Sequence, residues 1–150
     1  MTRIVVGFDG TTGSELAVDS IASRHWPEGS EVLVVSAADF GILNSIGRFA
    51  PQMNDSVVEA KIVQQWGETL AESAITKLTA AGIKAFLNVE IGHARDVIIG
   101  TSRGWHANSI VVGSHRSGNA FHQALLGSVS SAVASGAHCS VEVVRSKYAD

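Results

Sequence analysis

Residues 110–130 read IVVGSHRSGNAFHQALLGSVS, and this stretch decides the fold class. Ile110-Val111-Val112 is a short β-branched run without a polar break, the pattern of a buried strand. Gly113 stops it. A loop of small and polar residues follows, with a second glycine at Gly118, and Gly127-Ser128 opens a helical run. Strand, pliant loop and helix start in succession are the ingredients of a phosphate cradle. Glycines let the backbone approach an anion, and a helix N-terminus offers unpaired N–H groups and a partial positive charge.

Upstream, the same alternation repeats. Arg3 to Phe8 predicts a first strand, apolar at nearly every position, as in a parallel sheet covered on both faces. Asp9 to Ser14 is a turn rich in helix-capping side chains. A helix follows, with Leu16, Ala17, Ile21 and Ala22 on one face, ended by Pro27 and Gly29. Val32 to Val35 is the second strand. From Ser36 to Asn54 the periodicity vanishes, which predicts a long apolar loop acting as a lid or a contact.

The longest helix runs from Val57 to Ala81, with Val63, Trp66, Leu70, Ala74, Leu78 and Ala81 as its apolar stripe. Ile83 to Ile91 alternates partly and reads as an edge strand. Gly92 to Asp96 turns into a further helix containing Val97, Ile98 and Ile99. Ser109 to Val112 is the fourth strand, Val129 to Ala137 the last helix and Cys139 to Arg145 the last strand. Strands and helices alternate throughout without a hairpin signal. That implies a doubly wound parallel sheet with right-handed crossovers, in a single domain over residues 1–150.

Composition excludes several classes. The net charge of −3, with basic residues scattered rather than clustered, gives no nucleic-acid footprint. No apolar run approaches membrane length. One cysteine, Cys139, excludes an internal disulfide, and its apolar neighbours mark it as a small core residue. A cytoplasmic protein is expected. His25, His93, His106, His115, His122 and His138 form no zinc spacing. A Walker lysine pattern is absent. Asp9 is the one acid expected in a cleft, so no acid/base pair forms, and at most slow ATP hydrolysis is expected.

Four pieces in order resemble the universal stress protein A family over nearly the whole chain. They are Ile4-Val5-Val6-Gly7-Phe8-Asp9-Gly10, then Gly92-His93-Ala94-Arg95-Asp96-Val97-Ile98, then Val111 to His115 followed by Ala124 to Val129, and the ending His138 to Arg145. The resemblance implies a Rossmann-like, adenine nucleotide alpha hydrolase-like sheet of five strands in the order 3-2-1-4-5, with helices on both faces. Winding would then reverse between strands 1 and 4, side by side, where open α/β sheets bind ligands.

The resemblance also implies an ATP-binding stress-response module, with magnesium brought by the nucleotide, acting as a homodimer through Val141 to Arg145. ATP-binding members share G-x2-G-x9-G-[ST]. Gly113 matches the first glycine and Gly127-Ser128 the final pair, whereas Arg116 and Ser117 stand where the middle glycine is counted, and Gly118 falls one residue late. Asp9 matches the acid that contacts ribose or adenine, and Val35 the second-strand position that meets the base. The candidate binding residues are therefore Phe8, Asp9, Gly10, Val35, Gly113, Ser114, Arg116, Ser117, Gly118, Gly127, Ser128 and Val129.

Two alternatives stay open. One is a dimeric interaction protein of the same fold whose altered loop no longer takes ATP. The other is a flavodoxin-like FMN carrier, suggested by Gly10-Thr11-Thr12-Gly13-Ser14-Glu15 after the first strand. In that reading residues 113–128 have no role.

Overall fold

The computed structural model describes residues 1–49, 56–114 and 127–145. Five strands, β1 (Arg3–Gly7), β2 (Glu31–Ala38), β3 (Lys84–Ile91), β4 (Ser109–Gly113) and β5 (Ser140–Val144), form one sheet in the order β3-β2-β1-β4-β5. All four pairings are parallel. The helices are α1 (Thr12–Ala22), α2 (Phe40–Phe49), α3 (Ser56–Ala80), α4 (Ala94–Gly104) and α5 (Ser128–Gly136). The doubly wound order and the edge position of the third strand are as the sequence led one to expect.

Period-two alternation between two buried faces explains why Ile4, Val5 and Val6 of β1 are apolar in succession. Ile4 and Val6 join Ala17, Val18, Ile21, Ala74 and Leu78 in a core under α1 and α3. Val5 points the other way, with Val97, Ile98 and Val133 under α4 and α5. A parallel strand needs helices on both faces, and this one has them.

Three expectations shift. On α1 the buried apolar residues are Ala17, Val18 and Ile21, while Leu16 is half-buried. The second strand continues past Val35 to Ala38, and α2 occupies much of the segment expected as a loop. Asp39 starts that helix: its carboxylate accepts from the Ile42 N–H at 3.0 Å. On α3, Val63, Ala71, Ala74 and Leu78 are buried, whereas Trp66 and Leu70 are half-buried and Ala81 lies exposed beyond the helix. Gly67 explains this rotation. It is the point where α3 touches Val89 of β3, with no room for a side chain.

Candidate functional site

Winding reverses at β1, which pairs with β2 on one side and β4 on the other. Chain leaving β1 enters α1 on one face, and chain leaving β4 leads to α5 on the other. The two connections part, and a cavity of about 360 Å³ lies between them at the carboxyl ends of the strands.

Local chemistry positions its polar residues. Asp9 follows β1, and its Oδ1 accepts from the Thr11 N–H at 3.0 Å and the Thr11 hydroxyl at 2.6 Å. Thr11 Oγ1 in turn caps α1, accepting from the Ser14 N–H at 3.3 Å. Asp9 is exposed, and among the described residues its Oδ2 has no hydrogen-bond partner. Gly127 caps α5 without a side chain, so among the described residues the first-turn N–H groups of Ser128, Val129 and Ser130 have no side-chain cap, and all three residues line the cavity.

The apolar lining comes from β2 (Val35, Ala37), β4 (Val112) and α4 (Ala94, Ile98). Ala37 matters through its backbone. The Val35 carbonyl accepts from the Phe8 N–H at 2.9 Å, on the β1 side, and the Ala38 carbonyl accepts from the Gly92 N–H at 3.0 Å, on the β3 side. Alternation then turns the N–H and C=O of Ala37 toward β1. But β1 has ended, since its last paired residue is Gly7, opposite Val35. Among the described residues, an N–H and a C=O are thus left side by side without a partner at the cavity wall. Next to them, the buried Ser36 hydroxyl donates to the Phe8 carbonyl at 2.7 Å and holds the two strand ends together.

Of the residues expected at the site, Phe8, Asp9, Val35, Gly113, Gly127, Ser128 and Val129 line the cavity. The Phe8 side chain belongs to the α1–α3 core, so Phe8 contributes its backbone. Gly10 is not among the lining residues; it has φ +80°, and a Cβ there would come within 2.8 Å of Leu70 Cδ1. Buried Ser114 donates its N–H to the Val144 carbonyl at 3.0 Å, extending the pairing of β4 with β5. Arg116, Ser117 and Gly118, with His115 and His122, lie outside the described residues.

The cavity also brings in Gly7, Thr11, Ser14, Ala37, Ala94, Ile98, Val112 and Ser130. Thr11 and Ser14 were legible as caps but not as lining. Ala37 was missed because the second strand was ended at Val35. Gly113 proves to have a packing duty as well: a Cβ on it would collide with the Gly13 carbonyl, and one on Gly13 would sit 2.6 Å from the Ser114 carbonyl oxygen.

The model of the Universal stress protein family matches residues 1–145. The sequence matches none of the curated proteins. Among solved structures, hypothetical protein MJ0577 superposes with a TM-score of 0.75 at 21% identity, covering 98% of this chain and 97% of that one. A universal stress protein in complex with cAMP gives 0.62 at 21% identity, covering 96% of each chain. A universal stress protein family protein from Arabidopsis thaliana with AMP bound gives 0.67 at 15% identity, covering 97% of this chain and 92% of that one. At these identities the likeness is one of fold.

Proposed function

Because the chain belongs to the Universal stress protein family, we propose that it is an adenine-nucleotide-binding signalling module, with its ligand in the cavity at the winding switch. One observation carries this: a cavity joins an apolar wall bearing the N–H and C=O of Ala37, unpartnered among the described residues, to the start of α5, where Gly127 supplies no side-chain cap.

The chemistry of an adenine nucleotide divides in the same way. Its ring is flat and apolar, with a donor (the 6-amino group) and an acceptor (N1) adjacent on one edge, matching a strand's C=O and N–H. The base would lie against Val35, Ala37, Ala94 and Ile98. Asp9 Oδ2 would accept from the ribose hydroxyls. The N–H groups of Ser128 and Val129 would meet phosphate oxygens, where the helix dipole favours an anion. Structural neighbours with cAMP and AMP bound support adenine nucleotides as the class.

ATP is the proposed physiological ligand, with magnesium entering on the triphosphate. Asp9 is the single carboxylate of the described lining, so the role is binding rather than turnover. We also propose a single-domain cytoplasmic protein that pairs with a second copy along β5. Among the described residues that strand bonds β4 on one side only, which leaves its β-branched edge to extend the sheet.

Calorimetric titration with Mg-ATP and with AMP, after any carried-over nucleotide has been removed, tests the reading. Micromolar binding at one site per chain is expected. No binding up to millimolar concentrations of either nucleotide would sink it. The second reading, a dimeric interaction protein with no nucleotide, would then stand. It draws on the Gly13–Gly113 contact, which requires a glycine at 113 whether or not phosphate is bound.

A further inference from the structure

Val5 and Gly7 share one face of β1, the face toward α4 and α5, where Val5 is fully buried. At Gly7 that row of side chains stops. An ideal Cβ there would fall 2.7 Å from Ile98 Cδ1 and 3.4 Å from Val112 Cγ1. The terminal methyl of Ile98 therefore occupies the space that a side chain at position 7 would take. Ile98 is 4% exposed and stands one helical turn after Ala94, so the two present one face of α4 to the cavity.

The wall they belong to offers no side-chain donor or acceptor. Val35, Ala37, Ala94, Ile98 and Val112 are all apolar. A ring lying there is selected by the volume available and by the backbone of Ala37. Ile98 and Gly7 share one small volume between them, and the long side chain belongs to Ile98.

We infer that Ile98 is a specificity-determining residue: with Gly7 it sets the depth of the base-binding wall and restricts the ligand to a purine without bulky ring substituents. This inference rests on the nucleotide reading above and sharpens it. A methyl group at the bottom of an apolar pocket discriminates by roughly 10- to 200-fold, so this one contact is large enough to define the ligand class.

The contact can be moved between the two residues. Gly7→Ala adds a methyl 2.7 Å from Ile98 Cδ1, too close for both, and is expected to drive the isoleucine tip into the cavity. AMP affinity is expected to fall about tenfold. The displaced group is the end of a flexible side chain, so the fold accommodates the change. Ile98→Val deletes Cδ1 and nothing else. In the double variant the new methyl takes the vacated space, and AMP affinity is expected to return to within about threefold of the unaltered chain. Ile98→Ala is expected to lose AMP and to gain at least one AMP analogue carrying a benzyl or phenyl group at C2, N6 or C8.

Titration of the unaltered chain and the four variants with AMP and these analogues decides the matter. AMP bound by the unaltered chain, with no loss in Gly7→Ala or no recovery in the double variant, overturns the role of Ile98 alone. Failure of the unaltered chain to bind AMP overturns this inference, and failure to bind Mg-ATP as well overturns the nucleotide reading with it.

Discussion

Two glycines inside helices are expected to respond in opposite ways to the same change. Gly67 lies within α3 and Gly100 within α4. By helix propensity alone, alanine at either position stabilises by about 1 kcal/mol. At Gly100 nothing lies within 4 Å of an added Cβ, so the full gain is expected, raising Tm by about 2–4 °C for a chain of this size.

At Gly67 the added Cβ would sit 2.7 Å from Val89 Cγ1 and 3.1 Å from its Cβ, and closer still to Cγ2. A contact at 2.7 Å falls 0.7 Å short of the 3.4 Å at which ordinary van der Waals contact begins (3.4 − 2.7). Valine cannot turn both methyls away, because branching at Cβ holds χ1. Overpacking of this kind costs typically 1–3 kcal/mol, and the rigid neighbour argues for the upper end, about 3. Subtracting the propensity gain of about 1 leaves about 2 kcal/mol of destabilisation. Urea unfolding of Gly67→Ala and Gly100→Ala should therefore give midpoints on opposite sides of the parent, about 3 kcal/mol apart. Equal stabilisation by both would refute the placement of α3 against β3.

The remaining predictions concern single groups. Asp9→Asn keeps an oxygen for Thr11 but removes the charge. Exchanging a charge-assisted hydrogen bond for a neutral one should weaken adenine-nucleotide binding about tenfold with stability unchanged, as read by calorimetry beside thermal unfolding. Asp9→Ala should add a loss of about 1 kcal/mol in stability through the freed Thr11. Hydrogen bonds from Lys77 to Glu15 and then to Asp19, each at 3.0 Å, hold the Lys77 ammonium above its ordinary 10.5. A group whose folded pKa is raised stabilises fully below its unfolded value and loses that contribution as pH rises through the folded one. The parent should therefore lose stability above pH 10.5 relative to Lys77→Met. The difference should stay below about 1 kcal/mol, because the pair is exposed. Burial pushes the Cys139 thiol up, so at pH about 8 its alkylation should be several-fold slower in the folded chain than in urea, and equal rates would contradict its half-buried position.

The alternation of strands and helices was readable because it is local. β1 and β4 each carry three apolar residues in succession, Ile4 to Val6 and Ile110 to Val112, since each is buried on both faces, and the partial alternation of β3 marks it as an edge. Asp9, Gly113 and Gly127-Ser128 were readable too, because strand ends and helix starts carry their own residue types, and all line the cavity. α2 was missed although Asp39 announces it. A ten-residue helix offers little periodicity to count, so its apolar residues suggest a loop acting as a lid or a contact.

What the chain alone determined is thus which segments are strands, which are helices apart from α2, and where backbone could approach an anion. The tertiary structure decided which residues face one another. That Gly113 must clear the Gly13 carbonyl, that Gly67 must clear Val89, that Ile98 fills the space left by Gly7, and that the N–H and C=O of Ala37 have no partner on β1 because that strand has already ended, are all relations between elements distant in sequence. Periodicity reports the face a side chain shares with its own element. It carries no record of the neighbour across the gap, and the cavity is made of such neighbours.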